Sequence, residues 1–284
     1  MSRNRRRLAV NVLARMAMYG AAAVALVPLS LVLAYTIRNG LPAVSHLEFF
    51  LNSERPVGIP GAGVAHALVG TLIMVGLASL LAIPIGIVSG VYLVEYGHGR
   101  WASAVRLGSD VLVGAPSIAI GLFAYALVVA PLHHFSAISA SFALGVLMLP
   151  VVIRTTEATY GLLPAGLRES GLALGLPRWR VALQLLLPAA VPGVVTGALL
   201  AMARAAGETA PLLFTGFGNR FFSLDPTHPM AALPLIVFHD ALTPYPELQL
   251  QAWGAALILV VLVLAVNLTS RFVLRRQIRL ASAI

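Results

Sequence analysis

The sequence predicts an all-α integral membrane protein of six transmembrane helices, and three observations predict it. Of 284 residues, 59% are hydrophobic and only 10% are charged, for a mean hydropathy of +0.91. A soluble domain could not cover its surface with so few charges, so lipid must be the solvent for much of the chain. Second, the apolar residues gather into six runs close to the ~20 residues a helix needs to cross ~30 Å of hydrocarbon. Third, the arginines cluster between those runs rather than within them.

The first run, 16–37, follows Arg3, Arg5, Arg6, Arg7 and Arg15. It is too long for a typical signal-peptide core and lacks a clear small-x-small cleavage site, so it reads as a retained span. The second, 66–94, is long enough to tilt or protrude. Pro28 and Pro84 sit inside these two spans, where neighbouring helices or water satisfy the carbonyl that proline frees. Gly86 and Gly90 have the spacing that lets another helix approach, although this motif is common in membrane helices. The remaining runs are 110–131, 137–156, 191–214 and 251–273.

Orientation follows from arginine. With the N-terminus in the cytoplasm, the inner segments hold the five N-terminal arginines, Arg100, Arg106, Arg154, Arg168, Arg178, Arg180, Arg271, Arg275, Arg276 and Arg279. The outer loops hold Arg38, Arg55 and Arg220, and Arg204 is left within the membrane. This bias places both termini inside, which requires an even number of spans. Tyr245, Trp253 and Phe221–Phe222 then fit an outer interfacial belt.

Composition also excludes function classes. All 19 basic residues are arginine, so the chain has neither a P-loop lysine nor a Schiff-base lysine, and any ATP hydrolysis falls to a partner. No run interleaves basic with aromatic residues as a nucleic-acid platform would. Cysteine is absent, which removes disulfides, thiolate catalysis and cysteine metal sites. His133–His134 have no third ligand nearby and imply no metal. No internal repeat of the kind many secondary transporters carry is visible.

The segment 157–190 is the longest inner loop. Arg168 to Leu174 is compatible with a helix, Gly175 suits its C-cap, Pro177 suits the start of a second short helix, and Pro188 ends or bends that helix before the next span. The loop's apolar residues and Trp179 form a knob that fits a partner's groove. Equally, the loop could rest on headgroups with Arg178 and Arg180 near anionic lipid. Glu95 and Asp110 sit at span ends and need no special role.

The spacing in this loop closely resembles the EAA loop of ABC importer permeases. Glu169, Gly175, Leu185, Leu187 and Pro188 occupy its constrained places. Ser170 and Gly171 replace the usual pair of alanines with other small residues, and Leu185 stands where isoleucine is typical. Further segments extend the resemblance: Gly70-Thr71 through Glu95-Tyr96, Gly114 to Ile118, Leu149 to Glu157, and Ala203 to Phe214. Together they look like the phosphate-importer permease of the PstA type, with Gly207-Glu208-Thr209-Ala210-Pro211-Leu212-Leu213-Phe214 the most discriminating string.

The resemblance implies the MetI-like fold of ABC importer permeases over 64–275, after a tail, first helix and outer loop over 1–63 and before a cytoplasmic tail over 276–284. It implies a coupling loop about 157–190 that docks on the ATPase subunit. The partners it implies are a second related permease, two ATPase subunits and an extracytoplasmic phosphate-binding protein, in a bacterial inner membrane. Membrane lipid surrounds the chain and no nucleic acid is involved. The chain would hold no cofactor, ATP and magnesium belonging to the ATPase.

An arginine at the bilayer centre costs roughly 2.5–3.5 kcal/mol on insertion scales, so Arg204 needs a reason. Glu208 lies one turn on, on the same helix face, and can pair with it. The pair either locks helices or serves as an anion station, since the guanidinium fork offers paired donors that never deprotonate. The resemblance supports the station. Arg154 reads either as an inner anchor or as part of a path with Thr155, although membrane threonines commonly bond their own helix. The reading is a non-enzymatic phosphate permease; the alternatives are a permease for molybdate or sulfate, an ion-coupled secondary transporter, or a membrane enzyme.

Overall fold

The computed structural model describes residues 2–97 and 99–281, with side chains described for 7–8, 10–97 and 99–269. The inner-cluster side chains of Arg3, Arg5, Arg6, Arg271, Arg275, Arg276 and Arg279 therefore lie outside the described set.

The chain is helical throughout. In order come α1 (Ser2–Val44), α2 (Glu48–Leu51), α3 (Ala65–Glu95) and α4 (Arg100–Gly114). Next, α5 (Ser117–Ala124) passes through a π-helical turn, Tyr125–Val129, into α6 (Ala130–Leu132). Then follow α7 (Ala137–Gly161), α8 (Ala165–Ala173) and α9 (Arg178–Arg180), which enters a second π-helical segment, Val181–Leu186, and α10 (Leu187–Ala206). The rest is α11 (Ala210–Thr215), α12 (Leu233–Ala241) and α13 (Pro246–Ala281). Among the described residues, five stretches are long and apolar enough to span singly, and the bent pair Arg100–Gly114 and Ser117–Leu132 makes a sixth. The last helix continues beyond residue 275 to Ala281, through most of the stretch expected as a tail.

Two spans differ in course from expectation. The third is not one straight helix over 110–131, because α4 and the segment after it are bent by 110°. Pro116 is the cause: its ring disfavours helical backbone at the residue before it, and Ala115 is extended at φ −70°, ψ 136°. The fifth begins earlier than 191 and breaks before 214. One helical stretch runs Arg178–Ala206, so Pro188 does not end it. That proline opens the α-register after the wider π-helical turns, at N1/N2 of α10, where its missing N–H matters least. Helix α10 stops at Ala206 because Pro211 in a continuous helix would lack its bond and clash one turn back; Pro211 instead sits in the first turn of α11.

The core is a three-helix layer with α7 in the middle. A side-chain carbon on Gly86 would lie 2.7 Å from Val152, and one on Gly90 would lie 2.6 Å from Thr156. On the other flank Gly193 and Gly197 meet Thr159 and Thr155 equally closely. Missing Cβ atoms thus bring both α3 and α10 against α7. Met74, Ala78, Leu144, Met148, Val152, Ala201 and Ala205 fill the layer.

Helix α1 is peripheral. Its side chains are exposed from Val10 to Leu31, and it joins the rest near its C-terminal end, where Tyr35 packs edge-on against Trp253 at 5.1 Å. The segment between α11 and α13 is not a free loop. Met230, Ala231, Ala232 and Leu233 are buried, and the Leu233 amide donates to Thr71 Oγ1 at 2.9 Å. Phe221, Phe222 and Tyr245 are exposed there, while Trp253 is half-buried.

Candidate functional site

The break in span five lies level with the middle of α7. Since α10 and α7 are antiparallel, with Gly197 on Thr155 and Gly193 on Thr159, seven residues on from Gly197 brings Arg204 level with Met148 (155 − 7). Met148 is near the midpoint of the 25-residue α7 and shares a cluster with Ala201 and Ala205.

Arg204 occupies the last turn of α10, where the helix dipole favours a cation. Its Nε lies 3.6 Å from Glu208 Oε1, and the two side chains are 51% and 18% exposed. Glu208 belongs to the three-residue gap between α10 and α11, where its amide still reaches the Ala205 carbonyl at 3.2 Å. The predicted pair therefore forms, not along a continuous helix but across its interruption. Beside it, α5 packs on α11, with Gly121 so close that a side-chain carbon would lie 2.8 Å from the Pro211 Cα.

Arg154 and Thr155 are not brought to this pair. Arg154 is six residues further along α7, or about 9 Å nearer its C-terminal end at 1.5 Å per residue. It is paired with Asp110 and, at 2.9 Å, with Glu157. Thr155 donates back to the Val151 carbonyl at 2.8 Å and is covered by Gly197.

The loop between α7 and α10 has the expected two-part form. Gly175 adopts φ +78°, which only glycine accepts without strain. Its amide bonds the Leu172 carbonyl at 2.9 Å and the Leu176 amide bonds the Gly171 carbonyl at 3.3 Å, the paired closure of a Schellman cap. A side-chain carbon on Gly171 would lie 3.0 Å from Leu185 and Val181, so its departure from alanine goes with tight packing. Glu169 and Pro188 are exposed, and Leu185 and Leu187 are half-buried.

Sequence reasoning missed the ionic contacts at this end of the molecule. Arg168 donates from Nε and Nη2 to Glu95 Oε1 at 3.1 and 2.6 Å. Arg106 donates to Glu157 at 2.6 Å and to the Leu93 carbonyl at 2.8 Å. Glu95 and Asp110, which needed no role from sequence, each hold an arginine.

The profile of the family described as "binding-protein-dependent transport system inner membrane component" matches residues 82–279. A phosphate transport system permease protein PstA of Yersinia pestis is 42% identical over 85% of this chain and 82% of its own length. The PstA of Xylella fastidiosa strain 9a5c is 45% identical over 85% and 84%, and PstA 1 of Mycobacterium tuberculosis H37Rv is 42% identical over 90% and 86%. In three dimensions the chain is similar to one in an inward-facing structure of the MetNI methionine ABC transporter, with a TM-score of 0.57 at 18% identity over 75% of this chain and 94% of that one. A second MetNI crystal form gives 0.59 at 19% identity. At that identity the likeness concerns the fold, which is the MetI-like permease fold. From the span pattern, the capped loop between α7 and α10 and these matches, the chain belongs to the family of inner membrane components of binding-protein-dependent transport systems.

Proposed function

We propose that this chain is the membrane-spanning permease subunit of an ATP-driven importer and carries inorganic phosphate across the inner membrane. The observation that carries the reading is the match to PstA permeases at 40–45% identity over most of the chain. The Arg204–Glu208 pair beside a mid-membrane helix break gives it a chemical basis. Transporter sites commonly lie where spans are interrupted near the midplane, and a half-exposed guanidinium there presents donors in the fork that phosphate oxygens fit.

In this reading both termini are cytoplasmic, the chain pairs with a second related permease, and a phosphate-binding protein delivers substrate outside. One of two ATPase subunits docks on the 157–190 loop through the surface around Glu169 and Gly175. ATP and magnesium are theirs, since this chain has no lysine for a P-loop. Arg204 receives the anion and Glu208 holds the guanidinium when the site is empty. Arg154 and Thr155 line the cytoplasmic exit once α7 and α10 part.

The test is Arg204→Gln in the reassembled transporter, with assembly and ATPase binding checked first. Uptake of radiolabelled phosphate is expected to fall at least tenfold, the scale of about 1.4 kcal/mol in a single step. Near-normal uptake would make the arginine structural. Competition by sulfate or molybdate stronger than by phosphate itself would reassign the substrate.

A further inference from the structure

From the contacts at the cytoplasmic end of α3 we infer that Arg168 and Glu95 are positioning residues, forming the link through which movement of the coupling loop is delivered to the spans. The inference rests on the proposed importer function and adds to it a route inside this chain.

Helix α8, which carries Arg168, is held by two kinds of contact. One is apolar: Leu163, Leu167 and Leu176 of the loop pack with Val91 and Val94 of α3 and with Tyr160, Val181 and Leu186. Such a cluster resists separation but is non-directional, so it tolerates sliding and rotation. The other is the fork of Arg168 on one oxygen of Glu95, whose side chain is only 9% exposed. A charge-assisted bond with two donors fixes direction as well as distance. Arg168 adjoins Glu169, the first of the constrained positions in the loop.

Glu95 is the last residue of α3, and that end is gripped a second time. Arg106 of α4 donates to the Leu93 and Gly97 carbonyls at 2.8 and 3.3 Å and binds Glu157 of α7. A pull on Arg168 therefore reaches α3 at a point already tied to α4 and α7. Because Gly86 and Gly90 seat α3 on α7 along its length, the end cannot move without the layer. Loss of the Arg168–Glu95 link would leave the loop docked and free to shift without carrying α3.

The experiment uses the complete transporter, with both permeases, both ATPases and the binding protein, in proteoliposomes. ATP hydrolysis and radiolabelled phosphate uptake are measured in the same vesicles. For Glu95→Gln and Arg168→Gln, hydrolysis is expected to stay within about twofold of wild type while phosphate moved per ATP falls about tenfold, on the scale of energetic coupling between sites. The double variant should be no worse than either single, since both remove one contact. Unchanged phosphate per ATP in the singles, or additive losses in the double, would overturn the inference.

Should the glutamines weaken assembly, a second arm uses the absence of cysteine in this chain. Glu95→Cys with Arg168→Cys, joined by a bifunctional thiol reagent, should regain phosphate per ATP relative to the unjoined protein, and no gain would overturn it. Wild-type complex that takes up no phosphate, or takes it up without hydrolysis, would defeat the proposed function instead.

Discussion

Arg106 of α4 and Glu157 of α7 lie 51 residues apart in sequence and meet at 2.6 Å. Glu157 also receives Arg154 at 2.9 Å, so one carboxylate serves two guanidiniums. With its side chain 18% exposed, its removal leaves Arg154 with Asp110 as its carboxylate and Arg106 with only the Leu93 and Gly97 carbonyls, both partly desolvated cations.

Glu157→Gln should therefore destabilise the protein by about 1–3 kcal/mol, the range for losing one partner of a charged hydrogen bond. Thermal unfolding of the detergent-purified transporter measures this. An unchanged midpoint would mean that Asp110 and solvent suffice to hold the arginines.

Gly197→Ala should destabilise by about 1–3 kcal/mol, since the added methyl overlaps Thr155 in a packed layer. Gly76→Ala is the control, because nothing lies within 4 Å of the carbon it adds. Helix propensity alone would stabilise both variants. Equal behaviour of the two would argue against the close α7–α10 seat.

Asp240 supplies a pH dependence. It lies in the nine-residue α12, outside the six spans, and is buried with Oδ2 unpartnered. Burial first, and then the negative charge of Glu54, push its carboxyl up to about 7, against the opposing pull of Arg220. The folded value is raised above the ordinary 3.8, so its contribution to stability is full below that value and is lost as pH rises through about 7. Asp240→Asn should remove this loss, gaining thermal midpoint over wild type progressively from pH 5 to pH 8. A gap between the two that stays constant with pH would exclude the titration.

What the sequence disclosed and what it hid separate along physical lines. Hydropathy located every span because burial in lipid is a sum over about 20 residues. The Gly175 cap and the Arg204–Glu208 pair were readable because both are local, one turn or less. The breaks at Pro116 and around Gly207 escaped because a window average is blind to one extended residue inside an apolar run. Yet Pro116 and Pro211 carried the signal, whereas Pro188 misled because a π-helical turn absorbed it. Glu95 with Arg168 is separated by 73 residues, and nothing local ties such positions. Gly193 and Gly197 repeat the spacing of Gly86 and Gly90 and could have been found by it.

With glycines of one neighbour recessed under Val152 and Thr156, and those of the other under Thr155 and Thr159, α7 has no smooth flank along which to slip. Sliding by even one residue would drive branched side chains out of both recesses at once. Shear along α7 is therefore closed to this protein, and its rearrangements are limited to lifting a neighbour straight off α7, swinging the trio together or flexing at its margins, where the interrupted helices lie.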